Sequence, residues 1–593
     1  MKLIDKFKRS IKGLTEAVGR YPLTVIFLVA GAVINAMAIE NTTATRLEYN
    51  KLFVTFIVGA VLATVAQVAY EKFFKNNTQR LALGALAVVL DIGYYLIIRQ
   101  APEIGIEIAV RTTAIVAALL IGFIWIPSMK NQFEFTKSFM GSFKSFFISV
   151  FFSGVLFAGI ALILGATDVL LFEIDEMLYA HSANIVFTLF APIYFLSLIP
   201  NYNKADQETI ERTVGCPRFL EILISYIVIP LVSIFTVILV LYIGLNIRGE
   251  FWTENLIEPM LVSYSIVVIV VLFLSANMDN KFAATFRQIF PKVLLPLVAF
   301  QILASTLKIG DEGLTHSRYY VIMYGVFAAA AGVVFSFMKS QKAGIIAAVF
   351  VALSIISVVP PVDAFGVSKR NQIGILEEVL EKNDMLVDDK IVPNASIPDE
   401  DKKIIINTSA YIWRMDYFKD VAWLGEGFDY YGKFEKTFGF PMNEFYDGDK
   451  YYANFFRESL TGIDVSGYDF IGSMHYYGFD NNNKELYQMS IAGKTYTWGW
   501  KTENDTDSIY FEDADGNELM VYDFDEVITR FDTMFKDDRG EYPLTDEESI
   551  FTEENEEIRL KLVIQYYEIY PRGDNEEESN IHSEFFILVD IVD

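Results

Sequence analysis

The sequence predicts an α-helical polytopic membrane domain of about 11 spans followed by a soluble α+β extracytoplasmic domain with an antiparallel sheet. Two observations carry that expectation. Apolar runs close to the ~20 residues a helix needs to cross a bilayer recur along the first 360 residues and then stop. Charge divides at the same place: residues 1–360 carry 27 Lys+Arg against 23 Asp+Glu, a net of +4, and residues 361–593 carry the other 21 against 52, a net of −31. The domains expected are an amphipathic interfacial helix at 1–20, a transmembrane helical domain at 21–361 and an acidic extracytoplasmic domain at 362–593, helical over 366–455 and β-rich over 460–593.

Spans are expected at roughly 22–39, 52–70, 81–98, 104–127, 145–165, 183–200, 219–245, 259–276, 293–307, 319–338 and 344–360. Basic residues are retained on the cytoplasmic side. Alternate connections counted from the N-terminus hold 20 Lys and Arg against 6 in the other set, so the N-terminus is expected in the cytoplasm and, after an odd number of spans, the C-terminal domain outside. The Ala36-Met37-Ala38 triplet resembles a signal-peptidase site, but the charge alternation works best with the first span retained. Before it, Leu3, Phe7, Ile11, Leu14 and Val18 form a helical stripe with Lys2, Lys6, Lys8, Arg9 and Lys12 off it, as in a helix lying on the inner leaflet.

Charged residues inside spans are costly and mark candidate sites. Asp91 and Arg111 stand at similar depth on adjacent, hairpin-linked spans, which predicts a pair, with Glu107 one turn from Arg111. The pair either fixes helix packing or lines a solute or proton path. Pro192, Pro230 and Pro296 are placed to break or bend three spans, and the basic-free loop 167–182 offers an apolar face for the outer surface.

After the last span, a helix is expected from Ser368 as N-cap, with Ile373, Leu376, Val379 and Leu380 on one face. Lys369 and Arg370 in its first turn oppose the helix dipole by ~0.3–1 kcal/mol, and they read as a juxtamembrane collar toward anionic lipid headgroups or toward nearby carboxylates such as Glu377. A second helix follows Pro398. After residue 460 short β-like runs are separated by Asn481-Asn482-Asn483 and by Asp513-Ala514-Asp515-Gly516-Asn517, which read as hairpin turns; in the latter, glycine stands at the fourth position rather than the sixth that a calcium loop needs. Residues 545–557 read as a solvated acidic loop.

An acidic surface repels a polyanion, so nucleic acid is not an expected partner. A single cysteine, Cys216, excludes a disulfide-stapled outer domain. His181, His316, His475 and His582 are scattered without cysteine partners, so no zinc site is expected. No phosphate loop, nucleophile elbow or metalloprotease helix is present, and neither a catalytic residue nor a cofactor is expected.

The stretches SKRNQIGILEEVLEKNDML (368–386), DDKIVP and SGYDF (466–470), with RYPLTVIFLVAGAVINA at the first span, resemble the bacterial multipass membrane family catalogued as domain of unknown function 4153. The resemblance rests on Ser368, Gln372, Leu376, Lys390, Ile391 and the Gly467-Tyr468-Asp469 turn; Asn371 and Ile375 depart from the family pattern. It implies a protein of the bacterial plasma membrane without an assigned reaction. The functional expectation is an extracytoplasmic binding or sensory domain coupled to a membrane domain, its partners the lipid bilayer and anionic headgroups or a cell-wall component. The alternative is a transporter or permease for a small solute or ion that uses Asp91 and Arg111.

Overall fold

The computed structural model describes residues 3–592 except 42, 132, 173, 247–256, 425–427, 429, 443–452, 458–461, 478–485, 492, 504–505, 535–539 and 572–578. It divides into two compact units, Met1–Met442 and Asn443–Asp593. The Asn481-Asn482-Asn483 turn lies outside the described residues.

In the first unit α1 is Leu3–Arg20, α2 Pro22–Glu40, α3 Thr43–Phe73, α4 Asn77–Ile98, α5 Ile106–Trp125 and α6 Phe135–Leu170. Then come α7 Met177–Ala183, α8 Ala191–Leu198, α9 Gln207–Val214, α10 Arg218–Leu223, α11 Ile229–Asn246 and α12 Ile257–Ser275. The set closes with α13 Lys281–Glu312, α14 His316–Phe337, α15 Gly344–Ile356, α16 Ala364–Lys382, the ribbon β1 Leu386–Val387 and β2 Lys390–Ile391, α17 Asp399–Arg414 and α18 Tyr430–Phe438. Among the described residues ten helical stretches are long and apolar enough to cross a membrane, close to the number expected, and α15 is a shorter eleventh. At ~1.5 Å per residue its 13 residues reach about 20 Å, short of the ~30 Å hydrocarbon thickness. Leu81, Ile97 and Leu162 are each 75% exposed on these helices, a surface that suits hydrocarbon and not water. The centre of the unit is dry and closely packed, with Val268, Leu272, Leu294, Ala328 and Ala331 buried where α12, α13 and α14 meet; the alanines let the backbones approach.

Two of the three expected proline sites share one device. The π-helical turns Asn184–Phe190 and Ile224–Val228 each run directly into a helix with proline at its second position, Pro192 and Pro230. A proline removes a donor and crowds the carbonyl behind it, and a wider turn opens the ladder at that point. Pro296, with Pro291, instead sits inside α13, which continues to Glu312.

The unit boundary falls at 442/443 instead of the expected 361/362, because α16 and α17 join the membrane helices through buried hydrogen bonds described below. The helix expected from Ser368 starts earlier. Asp363 is the N-cap of α16, its carboxylate accepting from the Gly366 N–H at 2.8 Å, and Ser368 is buried inside the helix. Lys369 and Arg370 therefore stand in the second turn, clear of the strongest part of the dipole.

The second unit comprises β3 Ala453–Arg457, β4 Phe470–Tyr477, β5 Leu486–Ile491, β6 Lys494–Glu503, β7 Thr506–Glu512, β8 Glu518–Asp523, α19 Asp525–Met534, β9 Gly540–Leu544, α20 Asp546–Ser549, β10 Ile550–Glu554, β11 Ile558–Pro571 and β12 Ser579–Ile591. One sheet runs β4-β12-β11-β3-β9 with β10 also on β11, and the other runs β5-β6-β7-β8. All pairs are antiparallel except β3 with β9. Both sheets and α19 contribute to one core around Trp498, Phe511, Phe531, Leu560, Tyr567 and Phe585. The turn expected at 513–517 is present: the Asp513 carboxylate accepts from the Asp515 and Asn517 N–H groups, and Gly516 takes φ +81°. The acidic run at 545–557 is not a loop. Thr545 and Glu548 form a reciprocal cap on α20, and β10 follows as a paired strand.

At the end of α1, Arg20 grips Glu71 of α3 with two bonds of 2.8 and 2.7 Å and donates to the Ile199 carbonyl at 2.6 Å. Burial alone would lower the Arg20 pKa, but the Glu71 hydrogen bond and charge outweigh it and hold it above its ordinary value. Replacing Arg20 with Met strands the buried carboxylate and should cost about 3–5 kcal/mol. The midpoint of thermal unfolding in detergent checks this, and an unchanged midpoint removes the clamp from the account.

Candidate functional site

The expected Asp91–Arg111 pair is not what these side chains form. Asp91 is buried against α3, where a Cβ on Gly59 would stand 2.8 Å from its carboxyl carbon. Arg111 turns the other way. Its Nη2 lies 2.6 Å from Asp363 and 2.7 Å from Glu107, its Nη1 donates to the Val358 carbonyl at 2.9 Å, and its guanidinium carbon lies 5.5 Å from the Phe365 ring centre. Glu107 pairs with Arg111 at i,i+4, while the buried counter-charge is Asp363, the cap of α16. A shared depth along two spans does not fix how each helix is rotated, and rotation decided the partner.

Arg111 ties α5 to the start of α16, and α16 reaches two further helices. Gly313 closes α13 at φ +74°, where a Cβ would lie 2.5 Å from Gln372 Nε2 and 2.6 Å from Ile375 Cδ1. Asn371 accepts from the Leu314 N–H at 2.6 Å, and Arg318 donates to the Gly313 carbonyl at 2.8 Å. Asn371 and Ile375 both touch this turn. The Tyr319 hydroxyl donates to the Val362 carbonyl at 2.7 Å.

A buried polar chain runs beside it. The Tyr411 hydroxyl of α17 accepts from the His316 N–H at 3.1 Å, lies 2.8 Å from His316 Nδ1 and donates to Ser368 Oγ at 3.1 Å. Ser368 donates in turn to the Phe365 carbonyl at 3.2 Å, and the His316 ring stacks on Phe365. Burial pushes the Tyr411 phenol above its ordinary value, so it is a neutral O–H near neutral pH. Sequence reasoning missed Asp363, Tyr411 and the role of His316. The available signal was Asp363 three residues before Gly366, ahead of the buried Ala364-Phe365 pair.

Lys369 and Arg370 have internal partners. Lys369 pairs with Asp420 at 2.5 Å and lies 5.3 Å from the Tyr417 ring centre, and Arg370 donates to the Pro361 carbonyl at 2.7 Å. Glu377 is not the partner, because both cations turn back toward the start of the helix and toward 417–420.

Next to this junction, α14, α16, α17 and α18 enclose an open cleft of about 560 Å³ lined by Thr315, Gln372, Asn407, Tyr411, Trp413, Arg414 and Tyr430. Arg414 and Asn407 are exposed, Trp413 is half-buried, and Tyr411 and Tyr430 are buried at its base. A guanidinium, an amide and a hydroxyl beside aromatic faces can hold a small solute with an anionic group and a flat or apolar part.

A family model described as a domain of unknown function (DUF4153) matches residues 23–378, which include Arg111, Asp363, Ser368 and Gln372. Nothing among the curated proteins or the solved structures matches the chain.

Asp363 has two tasks that one pair of variants separates. Asparagine still caps a helix but cannot pair with Arg111, so Asp363→Asn should cost about 1.5–3 kcal/mol. Asp363→Ala loses the cap as well, for about 1 kcal/mol more. Equal unfolding midpoints for the two in detergent would deny the cap any share.

Proposed function

We propose a binding and sensing role for this chain, which belongs to the family described as a domain of unknown function (DUF4153). The cleft at Trp413 and Arg414 binds a small anionic solute, and the junction beneath it couples occupancy to the membrane helices. One observation carries the reading: the same cleft is lined by Thr315, the N-cap of α14, and by side chains of α16, α17 and α18, so one ligand touches a span end and the helices beyond it. Charge asymmetry between the two sets of connections supports a cytoplasmic N-terminus, with the cleft on the outer side.

The test is a thermal-shift panel of small carboxylates and phosphate esters on the full chain in detergent or nanodiscs. A ligand at about 100 times its dissociation constant should add ~2.7 kcal/mol of stability, and Trp413→Ala or Arg414→Gln should weaken it at least tenfold. A panel without a stabilising solute, or one unaffected by both variants, would overturn the cleft reading. Orientation is tested separately: Glu378→Cys in a Cys216→Ser background should react with an impermeant thiol reagent on intact cells, and protection would place α16 inside.

Asp91 favours a second reading, transport. It is a carboxylate buried within a span, where such groups mark ion or proton paths. On that reading Asp91→Asn abolishes proton flux into proteoliposomes while the protein remains folded; unaltered flux would leave Asp91 a packing residue.

A further inference from the structure

The second unit brings together two of the four histidines, His475 and His582, which are remote in sequence. His582 and Glu584 stand on one face of β12, His475 is paired with Glu584 from β4, and Glu568 is paired with His582 from β11. The opposite face of the same strands carries the buried Met474, Tyr476, Tyr567 and Phe585, so the polar face rests on a fixed, packed platform.

A bulge builds this face. Along β11 the even-numbered Ile558, Leu560, Leu562 and Ile564 point into the core; the register then shifts between Ile564 and Tyr566, and the odd-numbered Tyr567 and Ile569 take over the core positions. The shift turns Tyr566 and Glu568 outward, where Glu568 meets His582. Without it Glu568 would be driven into the apolar core.

The atoms are arranged around Glu584. Its Oε1 lies 3.8 Å from His475 Nδ1 and 3.9 Å from His582 Nε2, and the candidate donor atoms of the three residues all lie within 4.8 Å of one another. The other nitrogen of His582, Nδ1, lies 3.9 Å from Glu568 Oε2, which accepts from the Tyr566 hydroxyl at 3.1 Å. We propose that His475 Nδ1, His582 Nε2 and Glu584 bind a divalent transition metal ion, with Glu568 orienting His582 through Nδ1–H. Metal–nitrogen bonds of ~2.0–2.1 Å in a tetrahedral set bring ligand atoms to roughly 3.3 Å apart. His475 and Glu584 are exposed, so their side chains can close that gap without moving the strands. Two imidazoles and one carboxylate select zinc, copper or nickel over magnesium and calcium, and three protein ligands leave a position for water or an external donor. A carboxylate behind a ligating histidine fixes its tautomer and raises its basicity.

The test uses the full chain, purified without a histidine tag, stripped with a chelator and titrated with zinc against a chromophoric competitor. One site per chain is expected, retained in His181→Ala and in excess magnesium, and lost in His582→Ala and in Glu584→Gln. Glu568→Gln should bind 10–100-fold more weakly. Cobalt should give the absorption bands of a low-coordinate nitrogen–oxygen site, displaced by zinc. Circular dichroism establishes that each variant folds; should His582→Ala fail it, His475→Ala and Glu584→Gln, both at exposed positions, decide alone. No saturable zinc site, or binding unchanged in the folded variants, would overturn the proposal and leave the cluster as histidine–carboxylate contacts on the sheet face.

Discussion

The first unit depends on the demand that Arg111 makes near the end of a span. A guanidinium in that position needs a counter-charge and a further acceptor, and the stretch before α16 provides both: the carboxylate of Asp363 pairs with Nη2 and the carbonyl of Val358 accepts from Nη1. Because Asp363 also caps α16, the helix begins where the arginine fixes it. From there Asn371 and Gln372 reach the α13–α14 turn, and Ser368 meets Tyr411 of α17. A largely buried ion pair adds little net stability over an apolar contact of the same size, but removing one member is expensive. Its effect is to make other placements of α16 costly.

The basic residues that predict membrane orientation have a second physical role. Arg20 donates to the carbonyls of Ile199 and Pro200, Arg80 to that of Arg20, Lys72 to that of Pro127, and Lys144 to those of Arg212, Thr213 and Gly215. Each acceptor lies at or just beyond the C-terminal end of a helix, where carbonyls lack partners and the dipole attracts cations. A count of Lys and Arg between spans therefore sums two preferences, retention on one side and capping of helix ends. The residues named here meet the second of these, as Arg318 does at the Gly313 carbonyl in the basic-poor set.

Spans were legible in the sequence because crossing a bilayer constrains length and apolarity, which can be counted along a single chain. What failed needed rotation or register. Asp91 and Arg111 share a depth, yet with about 100° between successive residues a depth does not say which neighbour a side chain faces. The visible apolar stripe begins at Ile373 and points to Ser368 as a cap, whereas burial of Ala364 and Phe365 against the membrane helices starts the helix earlier. The hairpin at Asp513–Asn517 was legible because a turn is local. His475 and His582 were not, since only the pairing of β4 with β12 brings them onto one face, to which the bulge in β11 adds Glu568.

Coupling between the cleft and the spans requires more than adjacency. A ligand shifts an equilibrium only by the difference in its affinity for two arrangements, and a rigidly packed contact offers one arrangement. The Arg111–Asp363 contact is of that rigid kind, fixed by a charge pair and a helix cap. The chain from His316 through Tyr411 to Ser368 differs, because its hydroxyls can reverse donor and acceptor roles and the imidazole can exchange tautomers without any backbone movement. Thr315 and Tyr411 line the cleft, and His316 lies between them in the first turn of α14. On the proposed binding role, a solute that hydrogen-bonds Thr315 or Tyr411 would alter which way that chain donates, and the imidazole would pass the change to α14. The buried polar chain, more than the ion pair, is where ligand occupancy can become a change in a membrane helix.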